Sequence, residues 1–209
     1  MSAERIILTS NSFPPEGMRL RQEFLMVVGK PVAQIRVMFI PTASAIEPDR
    51  SFMHESRQTY LDMGILPAHI VDVELSPALT VNELAKFDVI HVDGGNTFYL
   101  MQKIKETGFE NAIKEYLRRG LGVYVGMSAG TIVAGPDIEI ATPFDDSSRA
   151  QLKSTVGMRL VPTAYSPHFQ RKDISQIKPY IDKRAYPIRT LKDGEGVVSD
   201  GVTERVIVV

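Results

Sequence analysis

The chain has 209 residues, 44% of them hydrophobic, a net charge of −1 and no cysteine. That length and apolar fraction suit one domain over residues 1–209 with an ample core. The balanced, interspersed charge argues against a nucleic-acid surface or a polybasic membrane anchor. The missing cysteine excludes disulfides, thiolate catalysis and cysteine-based zinc sites together, and it fits a reducing cytoplasm, the compartment expected here.

In chain order, Met1-Ser2-Ala3-Glu4-Arg5 leads straight into a strand-like run at 5–10, without the basic and long apolar regions of a signal peptide. Apolar residues at helical spacing follow over 18–28, then a strand over 35–44 that ends at Pro41. An amphipathic helix over 49–64 stops at Gly64, and a strand follows at 69–75. The spacing predicts a short helix over 81–87, a strand over 89–95 ending in two glycines, and helices over 97–106 and 109–119. The strand at 122–126 closes this series. No apolar run approaches the ~18 residues of a transmembrane helix. Regular alternation with near-continuous apolar strands predicts an α/β fold, a mostly parallel sheet with helices on both faces. Beyond about residue 136 the pattern loosens into shorter strands within 159–169, 186–191, 196–201 and 205–209, with one helix near 173–183. Some antiparallel pairing is expected there.

Ligands of such sheets sit beyond the carboxyl ends of the strands. Three conspicuous stretches fall at those ends: Pro41-Thr42-Ala43-Ser44, Asp93-Gly94-Gly95-Asn96-Thr97 and Gly126-Met127-Ser128-Ala129-Gly130. The last matches G-x-S-x-G, the tight strand-to-helix turn that exposes a nucleophilic serine. There, glycines admit the close turn, and the helix start offers the Ala129 N–H to an oxyanion. The bland alternative is a glycine-rich turn with an incidental serine.

A serine nucleophile needs a base. His54 lies on the amphipathic helix, His69 opens a strand, and His91 sits inside an apolar strand as a packing residue. His168, fixed by Pro167 and backed by Phe169, is the best-placed base. No histidine pair has metal-ligand spacing, so neither a metal nor a cofactor is expected. An acid must orient the base, and Asp137, Asp145, Asp146, Asp193 and Glu195 all remain open on the residues alone. Asp193 has the advantage of a turn directly after a strand.

Together with Leu8-Thr9-Ser10-Asn11-Ser12 near the start and the run at 39–44, the stretches GGNTF, GMSAG and Pro167-His168-Phe169 resemble the peptidase E and cyanophycinase family of serine peptidases. That resemblance spans nearly the whole chain. It implies a fold similar to class I glutamine amidotransferases, with serine in place of the amidotransferase cysteine. It implies Ser128 as nucleophile, His168 as base, and the Gly95 and Ala129 amides as the oxyanion hole. Leu191-Lys192-Asp193-Gly194 matches the family's late acidic turn, which makes Asp193 the third member, with Asp145 as the alternative lying between Ser128 and His168 in the chain.

The resemblance further implies a dipeptidase acting on short peptides, one that could favour an N-terminal aspartate, as a monomer or homodimer. Peptidase E carries SAGAN after its nucleophile, whereas this chain has SAGTI, which puts the strict aspartate preference in doubt. Asn96, Thr131 and Arg171 are expected at the substrate, with Arg149, Lys153 and Lys172 as further cations around His168. An esterase on the same elbow and a non-catalytic binding protein on the same scaffold are the rival readings.

Overall fold

The computed structural model describes residues 5–15 and 18–208. The N-terminal reading of Met1 to Glu4, residues Glu16 and Gly17, and Val209 of the last expected strand lie outside the described residues.

Five strands run parallel: β1 (Ile6–Thr9), β2 (Val37–Ile40), β3 (Ile70–Asp72), β4 (Val89–Val92) and β5 (Val123–Met127). They stand in the order β3-β2-β4-β5-β1. Beyond β1 the sheet continues antiparallel with β8 (Gly196–Ser199) and β9 (Glu204–Ile207). The expected antiparallel pairing is therefore at the C-terminal edge. The segment at 159–169 contributes only the three-residue β6 (Ala164–Ser166), which pairs with β7 (Ile188–Thr190) in a separate sheet, and that pair is parallel. The strand expected there is cut short because the backbone bends through Leu160, Val161, Pro162 and Thr163.

Strand periodicity divides the core between two faces. Ile6, Leu8, Met38, Ile40, Ile90, Val92 and Tyr124 face one side. They pack there with α3 (Val81–Leu84), α4 (Thr97–Thr107), α5 (Phe109–Arg118) and α6 (Ala129–Ala134). Ile7, Val37, Phe39, Val89, Val123 and Val125 face the other, against α1 (Met18–Val28) and α2 (Ser51–Asp62). His91 belongs to this second face, fully buried, stacked on Phe39 and 2.8 Å from the Tyr60 hydroxyl.

Chain direction then fixes where the site can be. The parallel strands all end at one edge. Because β8 runs antiparallel, its amino end lies at that same edge, with Gly196 opposite Thr9. The turn before β8 is thus brought to the carboxyl ends of β1 and β5. β6 and β7 pair in parallel, Ser166 opposite Thr190, so the segments that follow them emerge side by side.

Candidate active site

The elbow is built by close approach. A Cβ on Gly130 would collide with the Val92 carbonyl oxygen, and one on Gly126 with the backbone of Gly130, so both places need a hydrogen there. Ser128 adopts φ 48° and ψ −108°, a conformation that non-glycine residues rarely take. Its N–H donates to Thr9 O at 3.1 Å. Thr131 locks the turn from behind: its hydroxyl stands 2.8 Å from both Thr9 O and Gly126 O, with its one proton shared between them, and accepts from Thr9 N at 3.1 Å.

His168 follows β6 after Pro167, with φ 56°. Its Nε2 lies 3.1 Å from Ser128 Oγ, and its Nδ1 lies 2.7 Å from Asp193 Oδ1. Asp193 is in the turn between β7 and β8, and Phe169 N–H donates to Leu191 O at 3.0 Å, which ties the two segments together. Serine, histidine and aspartate thus form one hydrogen-bonded line. The line is open to water: the His168 and Asp193 side chains are 49% and 57% exposed.

The other acids are committed elsewhere. Glu195 folds back to accept the Lys192 N–H at 2.8 Å. Asp137 accepts from Glu139 N at 2.7 Å and from Thr155 Oγ1 at 3.0 Å. Asp145 accepts the Thr97 N–H at 2.8 Å, at the start of α4. Burial pushes its carboxyl above the usual range, opposed by hydrogen bonding from Thr97 and by the charge of His168.

Ser128, His168, Asp193 and Asp145 all line one cleft of about 1180 Å³, and Gly94, Gly95 and Asn96 line it too. Gly95 has φ 128°, and a Cβ there would strike the backbone of Ala43 and Ser44, where Asn96 N donates to Ala43 O at 2.9 Å. Asn96 caps α4, its Oδ1 accepting the Tyr99 N–H at 2.9 Å, while its Nδ2 donates to Asp146 O at 3.1 Å. Its side chain is spent on the fold.

Two substrate expectations fail in placement. Thr131 is fully buried behind the elbow and lies outside the cleft, because its hydroxyl is turned onto the backbone of Thr9 and Gly126. Arg171 is exposed on the 3₁₀ turn at 171–173, also outside the cleft. The cation on the wall is Arg149, which donates to Ile46 O. His54, on α2, is exposed and lines the cleft as well. Among the described residues no cluster of three metal-ligating side chains exists, and no helix is long and apolar enough to cross a membrane.

The model of peptidase family S51 matches residues 6–207. The chain belongs to that family. Among relatives, an uncharacterized peptidase of Pasteurella multocida is 33% identical over 137 residues, which cover 64% of either chain. Peptidase E of a Nostoc strain is 31% identical over 170 residues, covering 80% of this chain and 66% of that one. The matched stretches thus span just under two thirds of these two proteins. The crystal structure of a candidate peptidase E from Listeria monocytogenes superposes with a TM-score of 0.80 at 26% identity, covering 97% of both chains. The mostly parallel seven-stranded sheet is therefore the fold of S51 peptidases, and Ser128 and His168 fall within the matched residues.

Proposed function

We propose that this S51 peptidase is of the serine type and cleaves short peptides, dipeptides among them, through an acyl-enzyme on Ser128. The observation that carries the reading is the line Ser128 Oγ, His168 Nε2, His168 Nδ1, Asp193 Oδ1, with contacts of 3.1 and 2.7 Å, at the wall of the cleft. In this mechanism His168 takes the Ser128 proton as the hydroxyl attacks the peptide carbonyl. Asp193 holds Nδ1 protonated so that Nε2 is free to act as base. The Ala129 and Gly95 amides receive the oxyanion. Gly94 supports this placement, since a Cβ there would stand 3.2 Å from Ser128 Cβ, so the glycine pair lies directly beside the nucleophile. His168 then protonates the leaving amine, and water releases the acyl group.

An N-terminal aspartate would find Arg149 as counter-charge. Glu47, Glu55, Asp62 and Asp146 share the walls with it and oppose an acidic side chain, so a strict aspartate requirement is not part of the reading. A panel of X-Leu dipeptides with free N-termini, Asp-Leu included, tests it. Turnover of several members, lost in Ser128→Ala, is expected. Turnover of simple esters alone would make the protein an esterase. No turnover and no covalent labelling of Ser128 would leave a binding protein.

A further inference from the structure

β1 ends at Thr9 and the chain runs on through Ser10 and Asn11, three polar residues whose side chains take no step in the proposed chemistry. Thr9 O holds the Ser128 amide. Ser10 is fully buried and lies outside the cleft, yet its hydroxyl stands between the other two members of the line. It accepts the His168 N–H at 2.8 Å and donates to Asp193 Oδ1 at 2.9 Å. That oxygen is the one facing His168 Nδ1 at 2.7 Å. The backbone closes the arrangement: Ser10 N–H donates to Glu195 O at 3.1 Å, and Asn11 Oδ1 accepts the Gly194 N–H at 2.8 Å.

We propose that Ser10 is a positioning residue that sets the geometry of the base and the acid toward each other, an inference that rests on the serine-peptidase reading. The His168 and Asp193 side chains are about half exposed, so water competes for both, and a hydrogen bond so placed gains little by itself. Ser10 is a buried group that hydrogen-bonds both.

Its hydroxyl has a single assignment. The alternative acceptor, Leu191 O, is at 3.5 Å, too far to compete with a carboxylate oxygen at 2.9 Å. The proton therefore points at Asp193, which leaves an oxygen lone pair for the His168 N–H. That acceptor also holds His168 in its left-handed backbone conformation, φ 56°, which a non-glycine residue keeps only when its surroundings impose it. One buried hydroxyl thus fixes the backbone of the base and the carboxylate of the acid at once. The alternative is that Ser10 merely ties the turn to β1, a role in stability without an effect through Asp193.

A double-mutant cycle separates these, read by kcat and KM on a hydrolysed dipeptide and by the rate at which a fluorophosphonate labels Ser128. Ser10→Ala should lower kcat and the labelling rate ~10- to 100-fold, as small displacements of catalytic groups do, with KM within about twofold. In an Asp193→Asn background the same change should cost at least about threefold less than in the wild type, because one of the two groups it acts through is already disabled. Ser10→Cys, which keeps the packing and weakens the donor, should fall in between. Thermal unfolding confirms that each variant is folded. A loss under about threefold in Ser10→Ala, or an equal loss in both backgrounds, overturns the inference and leaves the peptidase reading standing. A wild-type protein that neither turns over dipeptides nor labels at Ser128 overturns the reading beneath it, and the inference with it.

Discussion

Ser128 and His168 are both non-glycine residues with positive φ at the ends of parallel strands, yet the two ends are built differently. β5 is central in the seven-stranded sheet, buried on both faces between β4 and β1, and Ser128 leaves it through a turn packed backbone to backbone against Val92 and Thr9. β6 is a three-residue strand in a two-stranded sheet, and the side chains of His168 and Asp193 stand half in water. Ser128, the proposed nucleophile, is therefore held by exclusion of volume, and His168 and Asp193, the proposed base and acid, by directed hydrogen bonds. Damage on the nucleophile's side should appear first as lost stability. Damage on the other side should appear as lost rate in a protein that still folds.

The largest effect expected is on rate. Asp193→Asn should lower turnover by about 10⁴, through the wrong histidine tautomer, and leave thermal unfolding nearly unchanged. Asp145→Asn should lower it less than about tenfold, because Asp145 hydrogen-bonds the Thr97 N–H and makes no hydrogen bond to the His168 ring. Steady-state kinetics of the two variants that came out reversed would move the acid to the other wall of the cleft.

On the nucleophile's side, Gly130→Ala drives a methyl into the Val92 carbonyl, so the destabilisation should reach the upper end of the ~1–3 kcal/mol usual for overpacking, or exceed it, in denaturant titration. Thr131→Val removes the partner of the buried Thr9 N–H and should cost ~1–3 kcal/mol, with KM for dipeptides unchanged. A large KM effect would restore Thr131 to the substrate site.

The smallest effect lies at the sheet edge, where Glu23 of α1 pairs with Arg205 of β9 at 2.7 Å. The Arg205 hydrogen bond holds the Glu23 carboxyl below its usual range. A lowered folded-state pKa stabilises the protein above the unfolded value and loses that contribution as pH falls through the folded one. Glu23→Gln should therefore cost less than ~1 kcal/mol at neutral pH. The gap to wild type should close below about pH 4, where a free glutamate begins to protonate. A gap that widened in acid would show the pair to be unfavourable.

Much of the nucleophile's side is legible in the residues themselves. Ile6-Ile7-Leu8 and Val37-Met38-Phe39-Ile40 are continuous apolar runs, so strand positions and burial on both faces follow from the residues alone, while which side chain meets which helix layer does not. The glycines flanking Ser128 mark the turn for the same local reason. The base and acid side is less legible because its order comes from contacts far apart in sequence. β6 is too short to leave a periodic signal, and Thr131 reads as substrate-facing until the sheet behind it is in place. Ser10 touches residues 158 and 183 positions away, contacts that its place in a polar run directly after an apolar strand does not reveal.

The central claim, that Ser128 is the group acylated by substrate, is tested most directly by covalent trapping. The protein is titrated with a fluorophosphonate, the adduct is mapped by peptide mass spectrometry, and dipeptide hydrolysis is followed in the same samples. One adduct per chain on Ser128, activity falling in proportion to it, and labelling suppressed in His168→Ala are the expected results. Full occupancy of Ser128 with hydrolysis intact, or hydrolysis lost through an adduct elsewhere, would contradict the account.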